Sequence, residues 1–135
     1  MRYAFYSHGG CENHGCEAIV RTLSAMIKKG QPESVIKLYT LNARSDEAGD
    51  LPNIDETEEF NYIRPVSKTT SAQKIKLSLL SRKSQKLADE YFYSLSCKNP
   101  SLKKNDIYIS VGGDNYWHGD GHMAAAFNQE LKKLG

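Results

Sequence analysis

Two short segments concentrate the residue types that do chemistry. The first is Ser7-His8-Gly9-Gly10-Cys11-Glu12-Asn13-His14-Gly15-Cys16-Glu17, where two histidines, two cysteines and two carboxylates are interleaved with glycines. Glycines at a strand-to-helix turn let backbone N–H groups approach a ligand, and the start of a helix favours an anion. The glycine spacing is not that of the dinucleotide fingerprint, and no Gly-Lys-Ser/Thr follows to make a P-loop. His8, Gly9, Gly10, Asn13, Gly15, Glu17 and Arg21 are therefore read as substrate-binding, and His14 as a catalytic candidate. The second segment is Gly112-Gly113-Asp114-Asn115-Tyr116-Trp117-His118-Gly119-Asp120. Asp114, the second catalytic candidate, suits a general base or an acceptor for sugar hydroxyls. Asn115 offers both a donor and an acceptor, and Tyr116 with Trp117 can stack on a sugar or close the core. Gly112, Gly113, Asn115 and Tyr116 complete the binding set.

Metal chemistry has to be weighed at the first segment. His8, Cys11, His14 and Cys16 are all ligand types within nine residues. No C-x-x-C pair occurs, no second ligand pair appears elsewhere, and four ligands on one short loop reach a tetrahedron with difficulty. The reading assigns no metal. Cys16 lies on the apolar face of the following helix, which makes it a packed thiol rather than a nucleophile.

These segments need elements to hold them. Arg2 to Tyr6 reads as a strand running into the Gly9-Gly10 turn. Cys16, Ile19, Val20, Leu23, Met26 and Ile27 then recur at three- and four-residue steps, which defines one face of a helix. Asn13 or His14 caps it, Glu17 complements its dipole, Lys28 and Lys29 sit in its last turn, and Gly30 with Pro32 ends it. Ser34 to Leu41 is a second strand. The acidic stretch after it, with Gly49 and Pro52, reads as a loop. Phe60 to Val66 is a short third strand, and Ser71 to about Ser96 is helical with imperfect spacing that allows two helices. Asp106 to Val111 is the clearest strand and leads into Gly112-Gly113. Gly121 to Leu134 is a final helix.

Strands alternating with helices imply parallel pairing, an α/β Rossmann-like three-layer sheet. The expected arrangement puts Arg2–Tyr6 at the centre, Val35–Leu41 on one side and Ile107–Val111 on the other. Ligands in such sheets bind beyond the C-terminal strand ends, where the strand order switches. Both glycine turns lie at that end, so the His8–Gly15 loop is expected to approach the Gly113–Tyr116 loop.

Composition sets the outer bounds. The chain has 135 residues, 39% hydrophobic and 25% charged, with a net charge of +2. No run approaches the roughly 18–20 apolar residues of a membrane span. Three cysteines without a secretory leader indicate free thiols in a cytoplasmic protein. The near-neutral balance gives no nucleic-acid signature. Seven carboxylates and no cation lie between Asp46 and Glu59, and six cations and no acid between Lys68 and Lys86. Such runs usually solvate a surface, and here the two can face each other. Peripheral contact of the basic run with a membrane surface is compatible with the same residues.

At the two glycine segments the sequence resembles the polysaccharide pyruvyl transferase family. The first signature stands here as Glu12-Asn13-His14-Gly15-Cys16-Glu17-Ala18-Ile19-Val20-Arg21, and the second, a strand leading to Gly-Gly-Asp, as Asp106 to Tyr116. The resemblance implies transfer of pyruvate from phosphoenolpyruvate to a sugar of a cell-surface polysaccharide, with no cofactor beyond that donor substrate. It implies a fold similar to the two-domain GT-B glycosyltransferase type, of which residues 1–135 would be the N-terminal domain. The partners implied are an acceptor sugar and a second, C-terminal domain. The chain closes on a helix and Gly135 where a further strand is expected, so it reads as the first half of such an enzyme, incompetent alone. Apolar surface near Met123, Phe127 and Leu131 would then support self-association. Half of a sugar-nucleotide-dependent glycosyltransferase and a non-catalytic glycan- or anion-binding module remain the alternatives.

Overall fold

The structure is a computed structural model. It describes residues 1–60, 69–104, 106–112 and 121–134, with the backbone alone for 121–123. Gly113, Asp114, Asn115 and Tyr116 lie outside the described residues, as does most of the expected Phe60–Val66 strand.

The fold is α/β and Rossmann-like. Strands β1 (Arg2–His8), β2 (Val35–Thr40), β3 (Glu56–Glu59) and β4 (Ile107–Ser110) form one all-parallel sheet in the order β3-β2-β1-β4. The expected placement of β1 between β2 and β4 holds. Ala4, Phe5, Tyr6 and His8 of β1 are all buried, so neither face of the central strand is open to water. That is the condition under which a parallel strand is stable.

Helices α1 (His14–Gly30) and α2 (Ala43–Gly49) belong with the sheet in one compact unit, Met1–Phe60 with Asn105–Asn115. Val20 of α1 packs with Phe5, Ile36, Leu38 and Val111, and Ile19, Leu23 and Ile27 extend that contact. The face found is the one the three- and four-residue spacing defines, except that Met26, expected on it, is exposed at the edge of the stripe. Lys28 near the end of α1 ties the layers together: its Nζ donates to the Ser34 carbonyl at 2.7 Å and to Asp55 at 2.8 Å. Asp55 also accepts from the Ile36 N–H at 2.7 Å. Burial works to raise the Asp55 pKa, but Lys28 and this N–H prevail and hold it below its ordinary value.

The acidic stretch corrects the sequence reading. It is not a loop throughout: it contains α2 and β3. Some of its carboxylates are spent locally. Glu58 and Glu56 flank Lys37 at 2.7 and 3.8 Å, Glu56 also meets Arg2 at 3.1 Å, and Asp55 meets Lys28. Asp55, Glu56 and Glu58 thus pair with cations of neighbouring elements and Asp46 is buried, while Glu47, Asp50 and Glu59 are exposed, as a solvated run requires.

The second compact unit, Asn61–Lys104 with Tyr116–Gly135, contains α3 (Ser71–Lys83), α4 (Gln85–Ser96) and α5 (Gly121–Leu131). Helix α3 begins at a reciprocal cap between Thr70 and Gln73 and buries none of its residues, leaving Ile75 and Leu79 exposed. Helices α4 and α5 share a small core in which Tyr93 and Phe127 meet edge to face at 6.2 Å. Phe127 and Leu131 are buried, so they do not provide the exposed apolar surface expected of them. The turn of their helix points them into this core. No described helix is long and apolar enough to cross a membrane.

Candidate functional site

The site is built where β1 ends. Residues Arg2 to Phe5 pair with Val35 to Leu38 in strict register, but His8 pairs with Thr40, so one extra residue is inserted in β1. Such a bulge re-aims the side chain that follows it. Strict alternation would put His8 on the face of Ala4 and Tyr6; the insertion moves it to that of Phe5 and Leu38. Ser7, at the bulge, has φ 65°, a left-handed conformation that costs a non-glycine residue about 1 kcal/mol or more. Gly10 follows at φ +99°, and a Cβ there would lie 3.1 Å from Cβ of Asn42. Only glycine meets both demands. Gly9 is exposed with open space around it.

Beneath the turn lies a dry cluster. His8 Nε2 is 2.9 Å from Oδ1 of Asp46, and the Cys11 backbone N–H donates to the same oxygen at 3.0 Å. All three residues are buried. Asp46 is delivered by α2, whose own start is fixed by Asn42 accepting from the Ser45 N–H at 3.2 Å. Ser45 in turn accepts from the Glu12 N–H at 3.0 Å. Helix α2 therefore grips the turn at two adjacent residues. Burial, and then the hydrogen bond and charge of Asp46, push the Cys11 thiol up to about 11. His8 Nδ1 and Asp46 Oδ2 are buried without a hydrogen-bond partner. One ligand-type atom from each of His8, Cys11 and Asp46 lies within 4.8 Å of the other two.

Above the cluster lies a wet rim. Asn13 caps α1, its side-chain oxygen accepting from the N–H groups of Gly15 and Cys16 at 3.2 Å each. That oxygen serves the helix itself, so Asn13 is first of all the cap of α1. The His14 side chain is 92% exposed and its Nδ1 lies 3.3 Å from Glu17. Glu17 accepts from Arg21 Nε at 2.8 Å, and Arg21 also donates to the Gly49 carbonyl at the end of α2. Arg21 first, then His14, holds the Glu17 carboxyl below its ordinary value. The rim is thus a chain of paired groups rather than a set of free ones. Cys16 is buried on the inner face of α1, as its position on the apolar face requires.

The end of β4 leads into Gly112 at the same end of the sheet. The Val111 N–H donates to the Tyr6 carbonyl at 2.9 Å, extending the β1–β4 pairing toward Gly112. Sequence neighbours β1 and β2 run to one side and β4 to the other, so the strand order switches at this point, where parallel sheets receive ligands. The structure therefore brings together His8, Gly9, Gly10, Asn13, His14, Gly15, Glu17 and Arg21 around one turn, with Gly112 at the neighbouring strand end.

Asp46, Asn42 and Ser45 are the site residues that sequence reasoning missed. A signal was present: Asn42 three residues before Ser45, with an acid in the first turn, is a helix start. The surrounding charge and the scarcity of apolar residues masked it. Comparison with protein-family models, with curated proteins and with solved structures gives no match. The site stands on its own geometry.

Proposed function

We propose that this turn forms one wall of an active site that transfers pyruvate from phosphoenolpyruvate to a sugar of a cell-surface polysaccharide. The observation that carries the reading is the placement of a glycine turn and a capped helix start at the strand-order switch, beside the end of β4. A phosphorylated carboxylate needs N–H groups and cations, and the exposed Gly9 backbone suits the first. The chemistry needs a proton for the enol methylene and a base for each attacking hydroxyl. Two sugar hydroxyls add to the enol carbon, their protons are taken up, the methylene becomes a methyl group, and phosphate leaves. His14, exposed and backed by Glu17, suits one proton transfer, and Asp114, by its place in the sequence after β4, the other. The His8–Asp46 cluster positions the turn. In this reading a second domain supplies the opposing cations, and the enzyme works in the cytoplasm without a catalytic metal.

The test is phosphate release from phosphoenolpyruvate with a panel of glycans, by the chain alone and by the chain with the second domain this reading requires. Phosphate release that depends on the acceptor, and that falls at least tenfold in Asp114→Asn or His14→Ala, supports it. Release of a nucleoside diphosphate from a sugar nucleotide instead would make the protein a glycosyltransferase.

A further inference from the structure

The dry cluster has a capacity that pyruvyl transfer does not use. We propose that His8, Cys11 and Asp46 form a buried site for one divalent transition-metal ion, zinc by ligand chemistry, which bolts the β1–α1 turn to α2. An imidazole and a thiol from the β1–α1 turn and a carboxylate from α2 converge, and each residue is more than nine-tenths buried. Their ligand-type atoms lie within 4.8 Å of one another. A tetrahedral zinc with bonds of about 2.0–2.3 Å needs ligand separations of roughly 3.3–3.8 Å, so the 2.9 Å contact of His8 with Asp46 opens and wider separations close as the ion enters. The mixed nitrogen, sulfur and oxygen set favours zinc over magnesium or calcium, which take oxygen.

Two further observations point to a ligand. Asp46 Oδ2 is buried with no hydrogen-bond partner among the described residues, a condition rare in native proteins unless something else satisfies such an atom, and His8 turns Nε2 toward the same carboxylate. The Cys11 side chain is also pinned in place: a Cβ on Gly49 would lie 2.5 Å from its Sγ. The Cys11 N–H on Asp46 Oδ1 fixes the carboxylate as an orienting hydrogen bond does at metal centres. When the ion binds, a metal–sulfur bond forms and the thiol proton leaves to solvent; a water fills the fourth position. The ligand set differs from a four-ligand loop of His8, Cys11, His14 and Cys16. His14 is on the exposed rim, and Asp46, thirty-five residues beyond Cys11, takes part instead.

The proposal does not rest on the transferase reading, and its test involves no turnover. The full chain, stripped with a chelator, is titrated with cobalt(II) and followed by absorbance, and zinc affinity is read by competition. The expected result is saturation at one ion per chain, with a thiolate-to-cobalt charge-transfer band. Cys11→Ser should abolish that band while Cys97→Ser keeps it. Asp46→Asn should weaken zinc by more than the roughly 10–100-fold that losing a merely orienting group costs. Should a variant fail to fold, the titration of the unaltered chain still decides. Absence of the band there, or its persistence in folded Cys11→Ser protein, overturns the proposal.

Discussion

His8 and His14 sit six residues apart on one turn, each beside a carboxylate, and they live in different physics. His8 is fully buried, 2.9 Å from an Asp46 that arrives from another helix. His14 is almost wholly in water, 3.3 Å from a Glu17 on its own helix. The first contact closes a loop of thirty-eight residues and joins two elements. The second joins neighbouring turns that would be near each other anyway. A buried polar pair is costly to break because the survivor is left dry and unsatisfied. An exposed pair is worth a few tenths of a kcal/mol, since water replaces either partner. The base of the site is therefore where stability is invested, and the rim is where a substitution costs the fold little.

That contrast can be attacked in order of size. Asp46→Ala removes the acceptor shared by His8 and the Cys11 N–H and should lower unfolding free energy by about 3–5 kcal/mol in urea titration. His14→Ala in the same titration should change it by less than about 0.5 kcal/mol. If the two variants lose similar amounts, the division into base and rim is wrong. Gly49→Ala comes next. Its Cβ would lie 2.5 Å from Sγ and 2.7 Å from Cβ of Cys11, and overpacking of this kind costs about 1–3 kcal/mol. Adding Cys11→Ala should recover part of that loss, a coupling that a double-mutant cycle reads directly. Asn13→Ala removes the cap of α1 and should cost about 1 kcal/mol, with earlier hydrogen exchange in the first turn of that helix.

The smallest effect is on the rim and appears only in acid. Glu17 has a carboxyl held below its ordinary value by Arg21 and then by His14. Its contribution is fully present above the unfolded carboxylate pKa and fades as pH falls through the lower, folded one. Stability curves of the native chain and Glu17→Gln should therefore differ slightly at neutral pH and converge in strong acid. A difference that grows on acidification would mean that the pairing seen in the structure does not govern this carboxyl.

Much of the site's frame was legible because it is local. Asn13, Glu17, Lys28 and Gly30 mark the start and end of α1 through their immediate neighbours, and the face of α1 follows from spacing alone. The central place of β1 follows from the alternation of strands and helices. The base of the site was not legible, because its decisive contact is long-range: nothing around Asp46 in the sequence says that it lies beneath His8. The same holds for the bulge at Ser7, which depends on register with β2 rather than on any residue of β1. Asp46 also shows how composition misleads. One buried carboxylate among seven acids looks like the rest of a solvated run.

The three glutamates of β3 carry a consequence for how the protein behaves in a crowded solution. Among the described residues, strand β3 is the last on its side of the sheet, and its sequence is Glu-Thr-Glu-Glu. A strand at the edge of a sheet is a template for another chain to add to. Here a second copy laid against that edge would bring its own row of carboxylates into close approach with the first. The described strand is four residues long and three of the four are glutamates, a composition that opposes strand-by-strand growth. The same side chains that neutralise Arg2 and Lys37 thus also act as gatekeepers against aggregation.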